Sequence, residues 1–146
     1  MIFDIDELPA GDGRMGRFGR EYRDKALEPL GLCSRQGMYI REICAAPGIS
    51  QEQLTRILRI NKSNVARQVA AMEEEGYIER RCCGKDKRVL RLYPTEKATA
   101  LLPGILEVMD RWEASLLEGL TEEERQELED VLLRLRENAR HRAEED

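Results

Sequence analysis

The chain has 146 residues, of which 41% are hydrophobic and 36% charged, and its formal net charge is −5. That is the length of one domain, and the chain is too apolar for intrinsic disorder. Its longest stretches without a charged side chain, Ile43–Gln51 and Ala98–Leu106, are nine residues each, far short of a membrane span. Met1–Gly11 carries Asp4, Asp6 and Glu7 and lacks the basic start and apolar run of a secretory signal. A cytoplasmic location is expected, with Cys33, Cys44, Cys82 and Cys83 as reduced thiols. A single histidine, His141, gives no basis for a His-rich metal site or for imidazole acid–base chemistry. No cofactor is expected.

In chain order, residues 12–30 read as a first helix. Met15, Phe18, Tyr22 and Ala26 form an apolar stripe at helical period, beside a row of Arg14, Arg17, Arg20 and Arg23. That row is read as a solvated face. Pro29 and Gly31 end the helix. Ser34 is placed to cap a second helix to about Ala46, with Met38, Ile40, Ile43 and Cys44 on or near its inner face. Pro47 and Gly48 stop it. Ser50 and Gln53 form a capping box for a short third helix carrying Leu54, Ile57 and Leu58. Asn61 caps a fourth, with Val65, Val69 and Met72 as its buried stripe and Gly76 just past its end.

After Gly76 the period changes. Tyr77–Cys82 and Arg88–Tyr93 read as two strands of a hairpin, with Gly84 in the connection and Pro94 closing the second strand. Thr95 caps a fifth helix to about Leu117, with Leu101, Leu102, Ile105, Met109, Trp112 and Leu116 on its core face and Pro103 expected to kink it. Thr121 and Glu124 form a second capping box. The last helix carries Leu128, Val131, Leu132 and Leu135.

Charge is unevenly spread: residues 1–50 carry net −1, residues 51–100 net +4 and residues 101–146 net −8. Arg80 to Arg91 hold six basic side chains against Asp86 alone. A local basic patch counts for phosphate binding more than whole-chain charge does.

Three helices followed by a hairpin are the order of a winged helix-turn-helix. The fold class is therefore mainly α with a small β-hairpin wing, flanked by N- and C-terminal helices. On the fourth helix the face opposite the buried stripe presents Lys62, Ser63, Asn64, Arg67 and Gln68 near its N-terminus. Such side chains read base edges and phosphates. Glu73, Glu74 and Glu75 fall at the far end, where phosphate would repel them, so only the N-terminal half suits the groove. Lys85, Lys87 and Arg88 give the hairpin a second basic reach, with Asp86 placed to aim Arg88 through an ion pair.

Asp86, Arg88, Leu92 and Thr95 match the pattern D-x-R-x-x-x-L-x-L-T, with Pro94 in place of the second leucine. Pro47–Gln51 with Leu54, Asn61–Ser63 with Val65, Glu74–Arg81 and Leu27–Leu32 fit the same template. Over about residues 14–140 the chain resembles the MarR (multiple antibiotic resistance regulator) transcription factors. The length points to a single domain over 1–146. Residues 34–94 would form the DNA-binding lobe, and 12–30 with 95–143 a dimerisation layer. The resemblance implies a homodimer on pseudo-palindromic double-stranded DNA, with Ser63, Asn64 and Arg67 at the major groove, Arg88 at the minor groove and Asp86 positioning the wing.

Family members usually release DNA on binding a small aromatic or phenolic ligand, and some use a reactive cysteine instead. Gly37 stands where relatives usually carry a bulky apolar residue. It could open a pocket near Tyr39, Arg41, Met109 and Trp112, or Met38 could repack the space. Cys82 and Cys83 lie beside Arg80, Arg81 and Lys85, whose charge favours thiolate, so a redox or soft-metal response stands against ordinary strand residues. Strand alternation places the pair on opposite faces, one buried and one exposed. Two rivals remain: a protein–protein adaptor of the same fold, which needs no basic wing, and an enzyme, for which no nucleophile–His–acid set or glycine-rich phosphate loop is present.

Overall fold

The computed structural model describes residues 14–82, 84 and 88–144 and, at Arg14 and Met15, the backbone alone. Its elements in chain order are α1 (Arg14–Leu27), a 3-10 turn (Glu28–Leu30), α2 (Ser34–Ala45), β1 (Ile49–Ser50), α3 (Gln51–Leu58), α4 (Lys62–Glu74), β2 (Ile78–Cys82), β3 (Leu90–Pro94), α5 (Glu96–Leu116) and α6 (Glu122–Glu144). The chain divides into two compact units. One is Asp24–Val108; the other is Met1–Arg23 with Met109–Asp146, of which 14–23 and 109–144 are described. The first of these extends beyond 34–94 on both sides.

Local chemistry sets most of the boundaries. Ser50 accepts from the Gln53 N–H at 3.1 Å while the Gln53 side chain accepts from the Ser50 N–H at 2.9 Å, closing a capping box on α3. Thr121 and Glu124 make the same reciprocal pair ahead of α6, at 3.2 and 2.9 Å. Gly76, at φ 82°, ends α4. There the Tyr77 N–H donates to the Met72 carbonyl at 2.9 Å and the Gly76 N–H to that of Glu73 at 3.1 Å, the two bonds of a Schellman motif. The Thr95 hydroxyl accepts from the Ala98 N–H at 3.3 Å and donates to the Gly76 carbonyl at 2.6 Å, tying the start of α5 to the end of α4. α5 runs unbroken through Pro103.

The core of the Asp24–Val108 unit includes Leu27, Ile40, Ile43, Leu54, Val65, Val69, Met72, Leu92 and Ile105, each at most 1% exposed. Burial of each such side chain is worth roughly 1.5–3 kcal/mol. The stripe expected on α4 is buried in full.

Several expectations are corrected. Ser34 is the first residue of α2, not its cap. Cys33 takes the cap position, its N–H donating to Gln36 Oε1 at 2.9 Å, while the Ser34 N–H donates to Asp24 Oδ1 at 2.6 Å. On α1, Phe18 is 54% exposed, with no described residue covering that side of the helix, and Arg23 of the supposed solvated row is buried. The hairpin is part of a three-stranded antiparallel sheet of order β1-β3-β2. β1 is only two residues long, too short for any periodic signal, and pairs Ile49 with Leu92 and Ser50 with Arg91. β3 begins later than expected and includes Pro94, which sits opposite Ile78. Cys82 is exposed; Cys83 lies outside the described residues.

Gly37 does not open space. A side chain there would begin 2.7 Å from Leu27 Cδ1 and 3.7 Å from Ile105 Cγ2. The glycine is what lets Leu27, fully buried, lie against the backbone of α2. Gly37→Val is therefore expected to destabilise the protein by about 1–3 kcal/mol through overpacking, read as a lower urea midpoint at unchanged slope.

Candidate nucleic-acid interface

α4 is positioned by burial on one side. Val65, Val69 and Met72 are fully covered, so the opposite face points outward. Lys62, Ser63, Asn64 and Arg67 are exposed there, and Gln68 is half-buried. Asn61 caps the helix: its Oδ1 accepts from the Ser63 N–H at 2.9 Å and from the Ser63 hydroxyl at 2.6 Å. Arg67 donates through Nη2 to Asn64 Oδ1, so the two side chains project as one unit. No acid lies in the first turn of α4. The helix N-terminus, with its partial positive charge, and Lys62 together favour an anion.

The α3–α4 turn contains the one non-glycine residue with positive φ among those described, Arg59, at φ 51° and ψ 39°. The sequence pattern carries no sign of this. An apolar surface cleft beside α3 is lined by Ala46, Pro47, Gly48, Ile49, Gln53, Arg56 and Ile57.

On the sheet, Arg88 is exposed in the turn that leads into β3. Lys85, Asp86 and Lys87 lie outside the described residues. Arg81, Arg91 and Arg80 of the basic segment have defined partners. Arg81 donates to Glu79 at 3.1 and 3.0 Å and lies 4.3 Å over the Tyr93 ring. Arg91 donates to the Gly48 carbonyl at 2.9 Å. Arg80 donates to Glu73 through its backbone N–H at 3.1 Å and its guanidinium at 3.1 and 2.8 Å. Hydrogen bonds from the Arg80 side chain hold the Glu73 carboxyl below its usual 4.5, against the opposing effect of desolvation. Sequence reading placed Glu73 among the acids that phosphate would repel and missed this pairing. The two residues are seven apart, across a turn whose geometry pattern alone does not supply.

The residues expected around an effector divide between the units: Gly37, Tyr39 and Arg41 belong to one, Met109 and Trp112 to the other. Tyr39 is buried with no partner for its hydroxyl among the described residues, and burial raises its pKa. Arg41 bonds Glu42 at 2.7 Å. In the other unit, the Trp112 ring lies 5.1 Å from that of Tyr22, tilted by 31°, and its indole N–H is buried with no partner among the described residues. Burial also raises the Cys44 thiol pKa, opposing thiolate formation there. Among the described residues no group of three potential metal ligands is found.

A MarR-family sequence model matches residues 30–89. Among solved structures, the transcriptional regulator SlyA is 30% identical, with a TM-score of 0.80 over 87% of this chain and 89% of its own. A MarR transcriptional regulator from Methanosarcina mazei Go1 is 31% identical, with a TM-score of 0.79 over 86% and 91%. A protein described as a MarR family transcriptional regulator from Listeria monocytogenes, solved in complex with 26-mer DNA, is 32% identical, with a TM-score of 0.79 over 86% and 84%. The chain belongs to the MarR family. It is accordingly a winged-helix transcriptional regulator.

Two outcomes follow from the site's geometry. Asn61→Ala is expected to lower stability by about 1 kcal/mol through loss of the α4 cap, measured by chemical denaturation. The second concerns Glu73, whose carboxyl pKa is depressed on folding. Its stabilising contribution is present above the usual carboxylate range and is lost as pH falls through the depressed value. As pH falls into and below the usual carboxylate range, the wild type should therefore lose slightly more stability than Glu73→Gln, the pair being partly solvent-screened.

Proposed function

We propose that this MarR-family regulator binds double-stranded DNA as a homodimer. In this reading α4 enters the major groove through Ser63, Asn64 and Arg67, and the wing reaches the minor groove through Arg88. Lys62, Gln68, Lys85 and Lys87 contribute phosphate or base contacts, and Asp86 steadies Arg88. The observation that carries the proposal is the polarity of α4: a fully buried Val65–Val69–Met72 stripe behind an exposed Lys62, Ser63, Asn64 and Arg67. The Listeria relative in complex with DNA supports it.

The dimer reading rests on α6. None of its described residues is buried, and Val131, Leu133 and Leu135 are 47%, 42% and 46% exposed. A helix with this much apolar surface uncovered calls for a partner, and a second copy with the same helix supplies one. A repressor occupying a pseudo-palindromic operator in the cytoplasm fits this arrangement, and no described helix is long and apolar enough to cross a membrane. A small aromatic or phenolic effector is the proposed releasing signal; the Tyr39 hydroxyl and Trp112 indole N–H, with no partner among the described residues, each invite a polar ligand atom. A thiol response is the second reading, favoured by the exposure of Cys82 beside Arg81. Exchange of Cys82 and Cys83 for serine separates the two readings: an effector response survives it and an oxidant response does not.

Selection from a random duplex pool at near-physiological salt is expected to enrich a pseudo-palindrome with half-sites about 10 bp apart, centre to centre. Arg67→Ala and Arg88→Ala should each weaken binding to that duplex by about tenfold or more, with the salt slope shallower for Arg88→Ala and the sedimentation coefficient of the dimer unchanged. Truncation after Thr121 should yield monomers by sedimentation; a truncated dimer would refute the role given to α6.

A further inference from the structure

The basic segment holds an arginine that is bonded to an acid of α4. Arg80, the third residue of β2, is engaged by Glu73 near the end of α4 through three hydrogen bonds. One carboxylate oxygen accepts the Arg80 backbone N–H, on the open side of an edge strand. The other accepts both guanidinium donors. Three bonds to two oxygens fix orientation as well as distance. Both side chains are about a third exposed, 35% for Glu73 and 32% for Arg80, so the pair contributes little to stability for its own sake. What it does is join two elements. Arg80 sits opposite Leu92, which is fully buried in the central strand β3, so holding Arg80 holds the sheet. α4 carries the proposed major-groove side chains at one end and this carboxylate at the other.

We propose that Glu73 is a positioning residue for DNA binding: it sets the wing at a fixed angle to the recognition helix, so that Arg88 and the N-terminus of α4 engage the duplex together. The inference rests on the reading that the wing touches DNA. It reverses the expectation from charge alone. An acid near phosphate weakens binding, so its removal should strengthen it. A strut that is removed should weaken binding although the chain becomes more positive. Glu74, exposed in the same turn of α4, has no such role and serves as the comparison.

The experiment measures affinity for the selected duplex by fluorescence anisotropy with the full chain. Glu73→Ala is expected to bind about tenfold more weakly than wild type. Glu73→Gln should be weakened too, because its amide puts a donor where the carboxylate accepted. Glu74→Gln should bind as wild type or more tightly. Arg80→Lys keeps the charge but loses the planar fork and should behave like Glu73→Ala; it also replaces Glu73→Ala if that variant melts below the assay temperature. In an Arg88→Ala background the effect of Glu73→Ala should shrink, since the strut then positions only the weaker wing contacts of Lys85 and Lys87. Equal or tighter binding by Glu73→Ala and Arg80→Lys overturns the proposal, as does an undiminished loss in the Arg88→Ala background. If wild type selects no duplex and binds none, the DNA reading fails and this inference falls with it. If wild type binds and the Glu73 variants bind as well, only the strut is refuted.

Discussion

The burial of Val65, Val69 and Met72 is the constraint from which the rest of the winged unit follows. Three fully covered side chains at helical spacing leave α4 one orientation, because rotating the helix would expose them and bury Lys62, Asn64 and Arg67. The outward face is thus a consequence of what the inward face must do. The short α3, capped by Ser50 and Gln53, contributes fully buried Leu54 to the same core. The Schellman turn at Gly76 then delivers the chain directly from α4 into β2.

The two ends of α4 are built differently. At its N-terminus hydrogen bonding is local: Asn61 serves Ser63, and Asn64 serves Arg67. These bonds lie within one turn and present polar groups outward. At its C-terminus the contacts reach to later elements. Glu73 bonds Arg80, and the Glu75 carbonyl accepts from Lys97 at 2.7 Å. Three acids at a helix C-terminus oppose the macrodipole. Arg80 and Lys97 offset that, and the offsetting contacts tie α4 to β2 and α5.

Glycine does unequal work along the chain. Gly76 supplies a left-handed turn that any other residue would strain. Gly37 is needed for a different reason, the approach of Leu27 to the backbone of α2. A glycine in a helix suggests a gap in the sequence, yet in the folded chain the gap is filled by a side chain ten residues earlier. α6 presents the opposite case. Its amphipathic pattern is plain, but none of its described residues is buried within one chain.

From the sequence alone the order of the six helices, both capping boxes, the Gly76 terminus, the α4 stripe and the exposed Lys62, Ser63, Asn64 and Arg67 were legible. These depend on contacts within a turn or two of chain, and such contacts leave a period or a capping residue in the sequence. The wing's basic tip was named from its motif, but Lys85, Asp86 and Lys87 lie outside the described residues. Only the tertiary structure decided the strand β1 at Ile49–Ser50, the exposure of Phe18, the filling of Gly37 by Leu27 and the pairing of Glu73 with Arg80. Each of these depends on which distant segment comes to lie alongside. Two residues opposite Leu92 and Arg91 become a strand only because β3 is there, and an acid at a helix end becomes a strut only when the chain turns back to bring an arginine to it.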